Sequence, residues 1–156
     1  MPDTRRQGLV KRQVLTEAEV TEIGRLIAIC DDYEGLHMRL GLDMLRSRPG
    51  DEAHDFLYYE DDRLAGYLAV DGWGGEEREL TGMVHPDYRR RGIFRMLVTA
   101  AKEECQRLGV QKLILVCEQC SGSGQAFMRA SGAQREHSEH EMVLGIFKLT
   151  FRLTQT

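Results

Sequence analysis

The stretch from Glu79 to Gly109, ELTGMVHPDYRRRGIFRMLVTAAKEECQRLG, changes its periodicity half-way along. Up to Val84 the residues suit a strand. From Phe94 onward, Phe94, Leu97, Val98, Ala101, Cys105 and Leu108 share one helical face, and Gly109 supplies a C-terminal cap. Between them lies a loop with three consecutive arginines, Arg89 to Arg91, and then Gly92. Strand, basic loop and helix thus follow one another directly. The first amides of a helix have no partner inside it and the helix dipole makes that end partly positive, so an anion can bind there on backbone N–H groups. Gly92 lets the backbone approach such a ligand, and Arg89, Arg91 and Arg95 can add charge-assisted contacts. The junction favours a small phosphate-bearing ligand. A solvated basic turn is the bland alternative.

Composition narrows the choice. The chain has 156 residues, 42% hydrophobic and 29% charged, which suits a single domain with a real core. A formal net charge of −4 argues against a surface that grips a polyanion everywhere, so the arginine run is a local feature and a nucleic-acid module is disfavoured. No apolar run approaches the roughly 20 residues of a membrane span, and MPDTRRQGLVKRQ lacks the apolar centre of a secretory signal. A cytoplasmic protein with no membrane partner is expected, with its four cysteines as reduced thiols.

Working outward, Thr16 and Glu19 form a capping-box pattern before Val20, Ile23 and Ile27, which predicts a helix over about 16–31. Leu36, Leu40 and Met44 predict a second over about 36–47, ended by Pro49 and Gly50. HDFLYYE and RLAGYLAV around Asp61-Asp62 read as a hairpin, and EERELTGMV as a third strand. KLILVCE reads as a strand buried on both sides, GQAFMRASG as a short helix, and REHSEHEMVL and IFKLTFRL as final strands. Phe147, Leu149, Phe151 and Leu153 alternate with polar residues, so this tail needs a partner, either the sheet or a second subunit in a homodimer. The order predicts a mixed α+β domain.

The stretch resembles the central motif of the GCN5-related N-acetyltransferases: a strand ending in Val-x-Pro, then Arg/Gln-x-x-Gly-x-Gly/Ala opening a long helix, with Arg89, Gly92 and Phe94 at the marked positions. The element order is similar to that family's from about residue 14 to 144. The resemblance implies one domain over 1–156, with a central, mostly antiparallel twisted sheet flanked by helices on both faces and an extra terminal strand near 146–154. It implies acetyl-CoA as cosubstrate and no metal. The amides of Arg91, Gly92, Ile93, Phe94 and Arg95 would hold its pyrophosphate, and the strand edge at Met83 and Val84 would pair with the pantetheine. Its reaction is transfer of acetyl to an amine. Relatives can continue into a second similar domain, so a truncated ending is compatible with this reading.

Two positions depart from the family pattern. Phe94 stands where glycine or alanine is usual, so its ring must turn to the apolar side of the helix. Met128 stands where a tyrosine usually protonates the departing thiolate, and a thioether has no proton to give, which keeps a non-catalytic acyl-CoA binder as an alternative. Ser121 takes the place of a frequent asparagine among the cofactor contacts.

An ammonium must lose a proton before it can attack a thioester, so a carboxylate or histidine is expected beside the acetyl group. Alternation puts Glu77 and Glu79 on one face with Thr81 and Met83; Glu79 is the first candidate base and Glu77 the second, against a reading of both as solvent-facing strand carboxylates. A backbone N–H near Val84 would meet the oxyanion. An acidic entrance at Asp31, Asp32, Tyr33 and Glu34 would suit a cationic acceptor, and His85 is read as a turn residue that could face the cleft. Cys117-x-x-Cys120 and His137-x-x-His140 lie sixteen residues apart with two between the histidines, outside zinc spacing, so no metal is expected. Trp73, Tyr58 and Tyr59 read as packing residues.

Overall fold

Thr16 starts the first helix by the predicted capping box: its hydroxyl accepts from the Glu19 N–H at 3.1 Å and its own N–H donates to the Glu19 carboxylate at 2.9 Å. This is a computed structural model, which describes residues 5–35, 41–72, 77–118, 138–141 and 146–152. Its elements are β1 (Gly8–Arg12), α1 (Glu17–Glu34), α2 (Leu42–Arg46), β2 (Asp55–Glu60), β3 (Arg63–Asp71), β4 (Glu77–Val84), a 3-10 turn (Pro86–Tyr88), α3 (Ile93–Arg107), β5 (Lys112–Glu118), β6 (Ser138–Glu141) and β7 (Ile146–Arg152).

The strands form one sheet in the order β1-β2-β3-β4-β5-β7-β6. Only β4 and β5 run parallel; every other neighbouring pair is antiparallel. Period-two alternation sends side chains to opposite faces. On one face Phe56, Leu68, Val70, Leu80, Leu113 and Leu115 pack against Ile93, Leu97, Val98, Ala101 and Cys105 of α3. On the other, Leu57, Tyr59, Tyr67, Ala69 and Met83 pack against Val20, Ile23, Leu26, Ile27 and Cys30 of α1 and Leu45 of α2. The fold is the expected mixed α+β one, with helices on both faces of a mostly antiparallel sheet.

Several local expectations change. β1 was not predicted: GLVKR has no alternation of its own and becomes a strand by pairing with β2, from Gly8↔Tyr59 to Arg12↔Asp55. α1 runs on to Glu34, and Gly35 closes it in the left-handed conformation. β5 is not buried on both sides, since Leu113 and Leu115 are buried but Ile114 is only half-buried; α1 and α2 cover β2 to β4 and stop short of it. Leu108 is 39% exposed, past the covered end of the helix face. Tyr58 and Tyr59 are packing residues. The tail does join the sheet: β7 pairs with β5 from Lys112↔Arg152 to Glu118↔Ile146 and with β6 on its other side. Trp73, Cys120, Ser121, Met128, His137 and the predicted short helix lie outside the described residues.

Candidate acetyl-CoA site

β4 and β5 are paired only from Glu77↔Lys112 to Leu80↔Leu115. Beyond that point β4 continues against β3 as far as Gly66↔Val84, and β5 continues against β7 as far as Glu118↔Ile146. The two strands therefore part after Leu80, and the β5-facing edge of β4 from Thr81 to Val84 has no strand partner among the described residues. The Val84 carbonyl lies on that edge, because it accepts from the Arg89 Nε–H at 3.0 Å and the Cys30 Sγ–H at 3.5 Å. In an extended strand a residue's N–H and C=O leave on the same side, so the Val84 N–H faces the opening as well.

The arginine loop follows directly. Pro86 to Tyr88 make one 3-10 turn, with the His85 ring accepting the Asp87 N–H at 3.1 Å. Arg90 (φ 65°) and Gly92 (φ 77°) are both left-handed, a backbone alternation that turns successive N–H groups inward on an anion. Gly92 is the N-cap of α3 and, being glycine, brings no side-chain cap of its own. The first helical bond runs from the Met96 N–H to the Gly92 carbonyl at 3.0 Å, so the N–H groups of the preceding first turn are the ones a helix leaves for outside partners. A Cβ on Gly92 would meet nothing within 4 Å, so the space beside it is open.

Two strand glycines set where that helix end sits. A Cβ on Gly66 would lie 2.9 Å from Ile93 and 3.1 Å from Leu97; one on Gly82 would lie 2.9 Å from Phe94 and 2.6 Å from Leu68. Only glycine lets the first turn of α3 press this closely on β3 and β4. The Phe94 ring does turn onto the sheet, as its bulk required.

The arginines do not form one cationic face. Arg89 reaches back to Val84 and lies over the Tyr33 ring at 5.3 Å. Arg91 pairs with Glu60 at 3.0 Å and covers Tyr88. Arg95 is exposed. Tyr33, expected at an acidic entrance, instead meets the loop.

On the α1 face, register puts Glu79 opposite Asp71 and Thr81 opposite Ala69, with Met83 opposite Tyr67. Glu77 and Glu79 are exposed while Arg78 and Leu80 are buried, so the predicted face is correct. Glu77 stands 4.0 Å from Lys112 at the far end. Beside Glu79 lies a cluster that no sequence pattern announced. Asp55, with no exposed surface, accepts two bonds from Arg48 at 3.1 Å and one from the Tyr67 hydroxyl, and Arg48 also pairs with Asp71. Burial opposes the Arg48 charge, but Asp55 and Asp71 outweigh it and hold the guanidinium protonated. Burial, together with the Asp55 charge, pushes the Tyr67 hydroxyl well up.

The sequence model described as the acetyltransferase (GNAT) family matches residues 25–133. The chain belongs to the GNAT family. Mycothiol acetyltransferase of Mycolicibacterium smegmatis is 33% identical over 94 residues, 60% of this chain, and the match spans about a third (32%) of that protein. The PaiA N-acetyltransferase of Thermoplasma acidophilum, solved in complex with coenzyme A, superposes with a TM-score of 0.72 at 14% identity, covering 94% of this chain and 99% of that one. A GCN5-related N-acetyltransferase of Sphaerobacter thermophilus superposes with a TM-score of 0.66 at 24% identity, covering 85% of this chain and 45% of that one. These structural likenesses show the fold. Within the GNAT frame the strand parting and the Gly92 end of the helix lie side by side.

Proposed function

We propose that this GNAT chain is an N-acetyltransferase that moves the acetyl group of acetyl-CoA directly to an amine of a small molecule or protein. One observation carries the reading: β4 parts from β5 directly beside a helix N-terminus whose N-cap is the left-handed Gly92. The amides from Arg91 to Arg95 take the pyrophosphate, with Gly92 giving access. An extended pantetheine then runs back along the free edge of β4 at Val84 and Met83. Thr81, where the strands part, is about 10 Å from Val84 at the usual strand rise, and Glu79 about 7 Å further.

Glu79 takes the proton of the acceptor ammonium, directly or through water, with Glu77 as second candidate. The amine nitrogen attacks the thioester carbon, a backbone N–H of β4 near Val84 meets the oxyanion, and collapse expels the thiolate of CoA. Met128 offers that thiolate no proton, so water or another group supplies it. The same residue favours a second reading, an acyl-CoA binder without turnover. Cytoplasmic location belongs to this proposal. The test is release of free thiol from acetyl-CoA across polyamines, aminoglycosides, amino acids and peptides. Amine-dependent thiol release supports the enzyme; tight CoA binding with no release under any acceptor supports the binder.

A further inference from the structure

We propose that Arg89 is a positioning residue, a strap that fixes the end of β4, the phosphate loop and the last turn of α1 in one arrangement, and not a phosphate ligand. The inference rests on the acetyl-CoA reading above and assigns one arginine of that site a different task.

The peptide between Val84 and His85 is the last of the strand. Its N–H, that of His85, donates to the Ala65 carbonyl at 2.8 Å. Ala65 is the extra residue of the irregularity where Tyr58 pairs with Gly66 and Tyr59 with Leu64. The carbonyl of the same peptide accepts from Arg89 Nε at 3.0 Å and from Cys30 Sγ at 3.5 Å. A carbonyl has two lone pairs, and both are used. The peptide plane is thus clamped at both ends, and Arg89 is the clamp on the side of the opening.

The guanidinium is also held from α1, its carbon 5.3 Å from the Tyr33 ring centroid. Arg89 itself is in extended backbone (φ −72°, ψ 159°), ahead of the left-handed Arg90 and Gly92. The strap has a chemical consequence. With its carbonyl saturated, Val84 offers the opening only a donor, its N–H, which is the group the oxyanion or a pantetheine carbonyl requires.

The atom that does the holding suggests the test. Arg Nε and Gln Nε2 stand the same number of bonds from the backbone, whereas Lys Nζ stands one further out. Arg89→Gln therefore keeps the donor and loses the charge; Arg89→Lys keeps the charge and loses the donor position. CoA is titrated into the parent, Arg89→Gln and Arg89→Lys at several salt concentrations, with circular dichroism to confirm folding.

The strap predicts that Arg89→Gln binds CoA within about threefold of the parent, with an unchanged salt slope, and that Arg89→Lys binds about tenfold more weakly, the worth of one hydrogen bond to a charged donor. A phosphate ligand gives the opposite order: lysine better than glutamine, with a shallower salt slope in Arg89→Gln. That order overturns the strap and leaves the acetyl-CoA reading intact. Absence of CoA binding by the parent overturns both.

Discussion

Gly92→Val separates two costs that are usually mixed. Gly92 sits at φ 77° and ψ 11°, and a Cβ there would meet no atom within 4 Å. The fold therefore bears backbone strain alone, about 1–2 kcal/mol for a side chain in the left-handed region, towards the upper end for a β-branched one. Binding bears a different cost, because the open space that the valine fills is where a phosphate approaches the first-turn amides. Losing two charge-assisted bonds at about 1.5 kcal/mol each removes about 3 kcal/mol, or roughly a hundredfold in Kd. Gly92→Asn is the control: asparagine tolerates this backbone but still fills the space. CoA titration and urea unfolding of the parent and both variants provide the readouts. Both variants should lose CoA together, while only Gly92→Val loses appreciable stability. Parent-like CoA affinity in Gly92→Val refutes the phosphate loop. Parent-like affinity in Gly92→Asn alone shows that strain, not obstruction, acts there.

Glu79→Gln should lower kcat by about a hundredfold or more, the usual worth of a general base, with the KM for acetyl-CoA little changed; Glu77→Gln, beside Lys112, should stay near the parent, and the reverse order would move the base to Glu77. Asp55→Ala takes from Arg48 the buried one of its two carboxylate partners and should cost about 3–5 kcal/mol in urea unfolding; a loss under 1 kcal/mol would mean that water replaces the carboxylate. Burial raises the Glu19 carboxyl, but Thr16 and Arg12 outweigh it, and the hydrogen bond that Glu104 accepts from Arg107, helped by the Lys11 charge, lowers Glu104, so both ionise more readily in the fold than at their ordinary 4.5. Their contribution is complete above that value and disappears as pH falls below it; an equal urea midpoint at pH 5 and pH 3 would contradict the assignment. Deleting residues 146–156 removes the partner of β5 along its whole length and should abolish cooperative unfolding; an unchanged transition would mean that β7 is dispensable.

Elements with a strong local period were legible in the chain itself. The capping box at Thr16 and Glu19, the apolar stripe from Phe94 to Cys105 and the alternation of β4 each express a local rule of backbone geometry, and each formed as read. β1 was not legible, since GLVKR carries no period and is a strand only by virtue of β2 beside it. The loop's chemistry was visible in outline from a glycine and arginines before a helix. The destinations of those arginines were not. Arg89 lies close in sequence to Arg91 but meets Val84 and Tyr33, while Arg91 meets Glu60, partners 5, 56 and 31 positions away. Likewise Arg48, Asp55, Tyr67 and Asp71 occur singly along the chain and become one buried cluster only when the loop before β2 folds over β3. Sequence by itself determined the elements, the family motif and the open helix end, because these depend on neighbours within a few residues. Tertiary structure alone decided where β4 leaves β5 and which charges are spent on holding the fold, because strand register and ion pairing are set by residues that meet only after the sheet has formed.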